Sequence, residues 1–130
     1  MDWPVPSVVL FDVDHTIEIS SGPVTLQQIV EVWKAGHIVG LCGNFALFVQ
    51  LVPDWHHVIS ILGSGGMTKV DFMVMIRSYV PAKRYIMVGN DEPGKSEDGA
   101  AARQAGWQFI KEDAFADHVP IPGTNSVSVR

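Results

Sequence analysis

Short apolar runs recur along this chain, each closed by polar residues or glycine and each separated from the next by a segment of helical periodicity. No other feature narrows the fold as much. Ser7 to Val13 is rich in Val, Leu and Phe and reads as a fully buried strand. His37 to Leu41, Val58 to Leu62, Tyr85 to Val88 and Gln108 to Ile110 repeat the signal in shorter form. Between them, Val24 to Ala35 places Leu26, Ile29, Val30 and Trp33 at helical spacing and stops at Gly36. Phe45 to Val52 predicts a helix ended before Pro53, and Thr68 to Tyr79 predicts another with Thr68 as its N-cap. Glu97 to Ala105 is an Ala-rich helix closed by Gly106. Beyond Lys111 the pattern fades, and residues 111–130 are expected to form an extended tail.

Strands alternating with helices predict a three-layer, Rossmann-like α/β domain around a mostly parallel five-stranded sheet. No repeat, low-complexity stretch or linker divides the chain, so residues 1–130 read as one domain with a core over about 7–110. In a parallel sheet every strand points the same way, so the residues that close the strands converge on one edge. Those residues are Asp12, Asp14 and Thr16 after the first run, Cys42, Gly43 and Asn44 after the second, and Gly89, Asn90 and Asp91 after the fourth. Lys69, at the start of the helix after the third run, reaches toward the same edge. Open α/β sheets bind ligands there. Two ionised carboxylates as close as Asp12 and Asp14 repel unless a cation or a shared proton lies between them. The segment therefore points to a metal-assisted carboxylate site.

Each of these residues also has a plainer reading. An Asp pair after a strand is ordinary turn chemistry, and Cys42 is more readily a small buried residue than a nucleophile. Lys83 and Lys95 compete with Lys69 for its role. His56-His57 reads as surface or core histidine rather than a metal site, and His15 sits in the acidic loop, where it tunes the site or merely flanks it. Asp91, Glu92, Glu97 and Asp98 also suit the acidic start of a helix.

The chain carries a formal charge of -5, and no basic run tracks a phosphate backbone, which argues against nonspecific nucleic-acid binding. A small phosphorylated ligand remains compatible, because a metal ion and backbone amides hold phosphate without net positive charge. A hydrophobic content of 47% argues against disorder and leaves room for a homo-oligomer interface. One cysteine excludes an intrachain disulfide framework. The N-terminus lacks a signal-peptide pattern, and no apolar stretch reaches the ~20 residues that span a bilayer. A cytoplasmic protein without a membrane partner is the expectation.

Phe11-Asp12-Val13-Asp14-His15-Thr16 resembles the first motif of the haloacid dehalogenase superfamily, hydrophobic residues followed by Asp-x-Asp-x-Thr. Leu41-Cys42-Gly43-Asn44 is similar to its second motif. Tyr85 to Asp91, with the Ala-rich segment Asp98 to Gly106, resembles the fourth. The resemblance implies a phosphatase in which Asp12 attacks phosphorus, Asp14 serves as general acid and base, and Lys69 neutralises charge. It implies Mg²⁺ held by the Asp12 side chain, the Asp14 backbone carbonyl and Asp91, with Asp98 as a second candidate. Cys42, Gly43 and Asn44 would bind phosphate oxygens, and Thr16 would brace the turn. The sequence departs from the pattern where Cys42 replaces Thr or Ser, where Asn90 follows Gly89, and where Pro93-Gly94-Lys95-Ser96 lengthens the fourth motif. The stretches before Cys42 and before Lys69 hold too little for an inserted cap domain. A capless, open site suits a large phosphorylated substrate or a neighbouring subunit as lid. Two other classes compete: a noncatalytic relative that binds a partner or phosphorylated ligand, and a metal-independent dehalogenase.

Overall fold

The computed structural model describes residues 5–92 and 96–117. Its sheet strands are β1 (Val8–Phe11), β2 (Ile38–Cys42), β3 (Ile59–Gly63), β4 (Tyr85–Gly89) and, after a two-stranded ribbon of β5 (Asp91–Glu92) and β6 (Ser96–Glu97), β7 (Gln108–Lys111). The helices are α1 (Leu26–Lys34), α2 (Phe45–Leu51), α3 (Lys69–Tyr79), α4 (Asp98–Ala105) and α5 (Glu112–Asp117). The sheet order is β3-β2-β1-β4-β7 and every pairing is parallel, where the sequence predicts a mostly parallel sheet. The protein is thus an α/β domain of Rossmann-like construction.

Local chemistry sets the helix ends. Thr25 caps α1 with a reciprocal box: its hydroxyl accepts from the Gln28 amide at 3.1 Å, and the Gln28 side chain accepts from the Thr25 amide at 3.0 Å. Thr68 accepts from the Asp71 amide at 3.1 Å and so fixes where α3 begins, which places Lys69 at its first turn. Gly106 closes α4 in the left-handed region at φ 77°, where a side chain would be strained.

Side chains alternate across the strands and divide the core in two. Val9 and Phe11 of β1, with Val39, Leu41, Ile86, Val88 and Ile110, pack under α1, α2 and α5. Val8, Leu10, Cys42 and Met87 face the other way, against Phe72, Met73 and Ile76 of α3 and the alanines of α4. Helices therefore cover both faces, and the buried strands read as continuous apolar runs for that reason. No helix among the described residues is long and apolar enough to cross a membrane.

One expectation needs correction. The predicted extended tail begins instead with α5, whose Phe115 is fully buried and meets Phe11 edge to face at 5.3 Å. Gln28 also donates to the Ala116 carbonyl at 2.8 Å, tying α5 to α1. The remainder of that segment, 118–130, lies outside the described residues. The insertion in the fourth motif is flanked by the antiparallel ribbon, in which Asp91 pairs with Glu97. Its residues 93–95, with Lys95, are outside the described residues.

Candidate active site

The sheet order reverses between β1 and β4: from β1 the chain proceeds outward to β2 and β3, then crosses to β4 and β7. The carboxyl ends of β1 and β4 therefore border a crevice, the place where doubly wound sheets take their ligands. Asp12 follows β1 directly, and its amide donates to the Val88 carbonyl at 2.9 Å. Asn90 follows β4. A cleft of about 830 Å³ opens there, walled by Asp12, Asp14 and His15, by Gly43 and Asn44, and by Lys69 and Asn90. Glu92 and Glu112 complete its rim.

Asp12 is the most constrained side chain in the cleft. The residue is only 5% exposed. Lys69 Nζ donates to its Oδ1 at 3.2 Å, and the fully buried Thr16 hydroxyl oxygen lies 3.4 Å from Oδ2. Gly43 approaches so closely that a Cβ there would lie 2.5 Å from Asp12 Oδ1, and its φ of +146° disfavours a side chain in any case. Burial, reinforced by the negative charge of Asp98, pushes the Asp12 carboxyl up to about 6, against the opposing effects of Lys69 and the Val13 amide. A single lysine leaves the charge on Asp12 undercompensated.

Lys69 bridges two buried acids. Besides Asp12, it contacts Asp98 Oδ1 at 2.6 Å. Burial works against its charge, but Asp12 and Asp98 together outweigh that and hold the ammonium above the usual lysine range. Asp98 is itself fixed: Oδ2 accepts from the Asn90 amide at 3.2 Å, and its own amide donates to the Asn90 carbonyl at 3.2 Å. Gly89 leaves room for it, because a Cβ there would overlap the Asp98 carboxylate. Asp98 therefore aims Lys69 at Asp12.

Asp14 is exposed on the cleft wall, and Asn44 Nδ2 donates to its Oδ1 at 3.2 Å. Of two carboxylates two residues apart, Asp12 is buried and held while Asp14 faces solvent. His15 lines the cleft with φ 60°, a conformation in which a side chain is uncommon.

Asp91 and Cys42 do not stand where the resemblance puts them. Asp91 pairs with Arg103 at 3.3 Å and is not among the residues walling the cleft. Asp98, the second candidate, is committed to Lys69 and Asn90. The Cys42 side chain is buried in the core beneath α3, where burial pushes its thiol up to about 12. It offers no group to a phosphate. The Gly43 amide donates to the Gly63 carbonyl at 2.7 Å, so the sheet already uses it. Asn44 and Lys69 remain as side-chain donors on the cleft, with Thr16 beneath it. Lys83 precedes β4, at the opposite end of the strands, and His56 and His57 meet edge to face ahead of β3.

Glu112 is the group that the sequence does not reveal. It enters from α5, and the Thr16 hydroxyl that reaches Asp12 also stands 3.2 Å from Glu112 Oε2. Burial raises the Glu112 carboxyl, opposed by hydrogen bonds from Thr16 and the Asn90 side chain. Nothing in the faded pattern beyond Lys111 points to it.

The oxygens facing the cleft are hard donors of the kind that Mg²⁺ takes. Among the described residues, no three Asp, Glu, His or Cys side chains stand close enough to hold one ion between them. A cation here would draw on the Asp12 carboxylate, backbone and amide oxygens, and water. Mg²⁺ commonly keeps several waters and few carboxylates, so the donor set fits it.

No protein-family model and no solved structure matches the chain. Among curated proteins, 31 residues are 55% identical to a stretch of the fluoride-specific ion channel FluC of Renibacterium salmoninarum. That stretch covers 24% of this chain and 25% of the channel, too little to assign a family.

Proposed function

We propose that this protein is a Mg²⁺-dependent phosphohydrolase of the haloacid dehalogenase type, acting through an aspartyl-phosphate. The carrying observation is the buried Asp12, held by Lys69 on one oxygen with the Thr16 hydroxyl 3.4 Å from the other, and with the exposed Asp14 two residues on. Held this way, Asp12 has its nucleophilic carboxylate fixed before substrate arrives. It forms a bond to phosphorus as the ester P–O bond breaks, and protonated Asp14 gives its proton to the departing alkoxide. Asp14, now ionised, takes a proton from water as that water attacks the phosphorus of the acyl phosphate. Inorganic phosphate leaves and Asp12 is restored. Lys69 and Asn44 meet the phosphoryl oxygens, and Asp98 keeps Lys69 aimed. The Asp12 carboxylate, the Asp14 carbonyl and the Asn90 side chain would hold Mg²⁺, which when bound would supply charge neutralisation for the transfer.

Hydrolysis of para-nitrophenyl phosphate in Mg²⁺ checks this reading. The rate is expected to vanish with EDTA and to fall by roughly 10³-fold or more in Asp12→Asn, as for other lost nucleophiles. Undiminished turnover in that variant overturns the nucleophile assignment. One observation favours a second reading. Asn90 stands where an acid is expected, which suits a noncatalytic module that binds a phosphorylated ligand. Metal binding with no turnover across a broad phosphate-ester panel would select that reading.

A further inference from the structure

Lys83, which the cleft leaves aside, belongs to a second cavity of about 350 Å³ at the other end of β4. Tyr85 begins the strand there and Asn90 follows it at the cleft, a span of about 16 Å. Arg77, Lys83, Arg84, Tyr85, Gly106 and Gln108 line the cavity, and no acid does so among the described residues. The whole chain has a formal charge of -5, so three cations gathered without an acid stand out. Lys69, Arg103 and Lys111 each lie within 4.0 Å of a carboxylate. Among the described residues, Arg77, Lys83 and Arg84 do not. Arg77 has one further task, since its Nη1 donates to the Gly106 carbonyl at 3.0 Å, where α4 ends. Its guanidinium also lies over the Tyr85 ring, 5.1 Å from the centroid. These contacts fix the group and leave most of its N–H donors for a ligand. Lys83 and Arg84 lie between α3 and β4, in no helix whose end they could neutralise. Their backbone is tied down, because the Lys83 amide donates to the Pro6 carbonyl at 2.8 Å and the Arg84 carbonyl accepts from the Val8 amide at 2.9 Å.

We infer that this cavity is a second ligand site, one that takes an oligophosphate group. Like charges held together cost free energy until a counter-charge joins them. Three cations call for an anion of several charges, and linked phosphoryl groups supply these in a small volume. A guanidinium meets two phosphoryl oxygens at once, and an ammonium adds a movable point charge. The Gln108 side chain offers a neutral donor beside them. The cavity falls within the size range of small-molecule sites. The inference does not rest on the proposed reaction, because the cavity shares no residue with the cleft.

The test is an NMR titration of the full chain with inorganic pyrophosphate, in EDTA so that no divalent cation holds phosphate in the cleft. Saturating amide shifts are expected at Arg77, at Lys83 to Tyr85 and at Gly106 to Gln108. Lys83→Gln and Arg84→Gln are each expected to weaken binding about threefold, the scale of an exposed charge pair, and the double variant about tenfold. Lys34→Gln removes the same charge from α1 and should leave affinity unchanged. Thermal melts establish that each variant is folded. ADP serves as a second probe: affinity equal to that of pyrophosphate assigns a free oligophosphate, and tighter binding assigns a nucleotide, both in support. Absence of saturating shifts overturns the inference, as do shifts confined to the cleft. Equal binding of citrate at matched ionic strength overturns the phosphate class, and equal weakening by Lys34→Gln overturns the location. Each of these results leaves the proposed function standing, since turnover of para-nitrophenyl phosphate is measured separately.

Discussion

In the proposed reaction Asp12 meets two opposed demands: it must be buried to be held still, and it must be ionised to act. Burial and Asp98 raise its carboxyl from the usual 3.8 to about 6. The folded chain thus binds this proton more tightly than the unfolded chain does. The stability that follows is full below the unfolded value and is lost as pH rises through the folded one. In EDTA, the free energy of unfolding is therefore expected to drop between about pH 4 and pH 7. A separation of about two pKa steps corresponds to about 3 kcal/mol. Urea denaturation of wild type against Asp12→Asn isolates the contribution, since the amide does not titrate. The wild-type decrease should be missing in the variant, and a wild type that gains stability relative to it over that range would contradict the assignment. Much of this residue's setting was legible in advance. Asp-x-Asp-x-Thr after a buried strand identifies Asp12, Asp14 and Thr16, and the Thr68 cap locates Lys69. What misled at this scale was alternation. Successive residues of extended backbone point to opposite sides, so Asn90 turns to the cleft while Asp91 turns to Arg103. Leu41 and Cys42 divide between the two cores in the same way.

The elements supply geometry that no single side chain could. The β2–α2 turn brings Gly43 against the Asp12 carboxylate, and only a residue without Cβ fits there. Gly43→Ala is expected to displace the Asp12 carboxylate, or to shift the turn, because the new Cβ would sit 2.5 Å from Oδ1. A misplacement of about 1 Å at a reacting group can cost about 10²-fold in rate. Hydrolysis of para-nitrophenyl phosphate should fall at least that far, while circular dichroism shows the same helix content. A fully active Gly43→Ala would show that the close approach is incidental. Element boundaries were largely readable, because apolar runs and caps are local signals. The exception is α5. Its six residues, Glu112–Asp117, are too few to display a helical period, and its only strong apolar signal is Phe115. That signal acts through a distant partner, Phe11, which sequence order does not disclose.

At the scale of the molecule, the parallel sheet and its order decide that strand ends from distant parts of the chain meet at one crevice. The last described helix closes that arrangement, since it packs Phe115 into the core and delivers Glu112 to the cleft. Phe115→Ala is expected to destabilise the fold by roughly 3–5 kcal/mol, the usual cost of emptying a buried phenylalanine site. Urea denaturation of the variant reads the effect; a cost under about 1 kcal/mol would mean α5 is not part of the core. The fold class was legible because β–α alternation admits few topologies, whereas the C-terminal contribution depends on packing across the whole chain.

The central claim is that Asp12 becomes phosphorylated, and covalent trapping tests it most directly. Enzyme turning over para-nitrophenyl phosphate in Mg²⁺ is quenched in acid and examined by peptide mass spectrometry. The account predicts one phosphoryl group on the peptide carrying Asp12, discharged by hydroxylamine and absent from Asp12→Asn. Steady hydrolysis with no phosphoryl group on that peptide, or with the group on another residue, would contradict it.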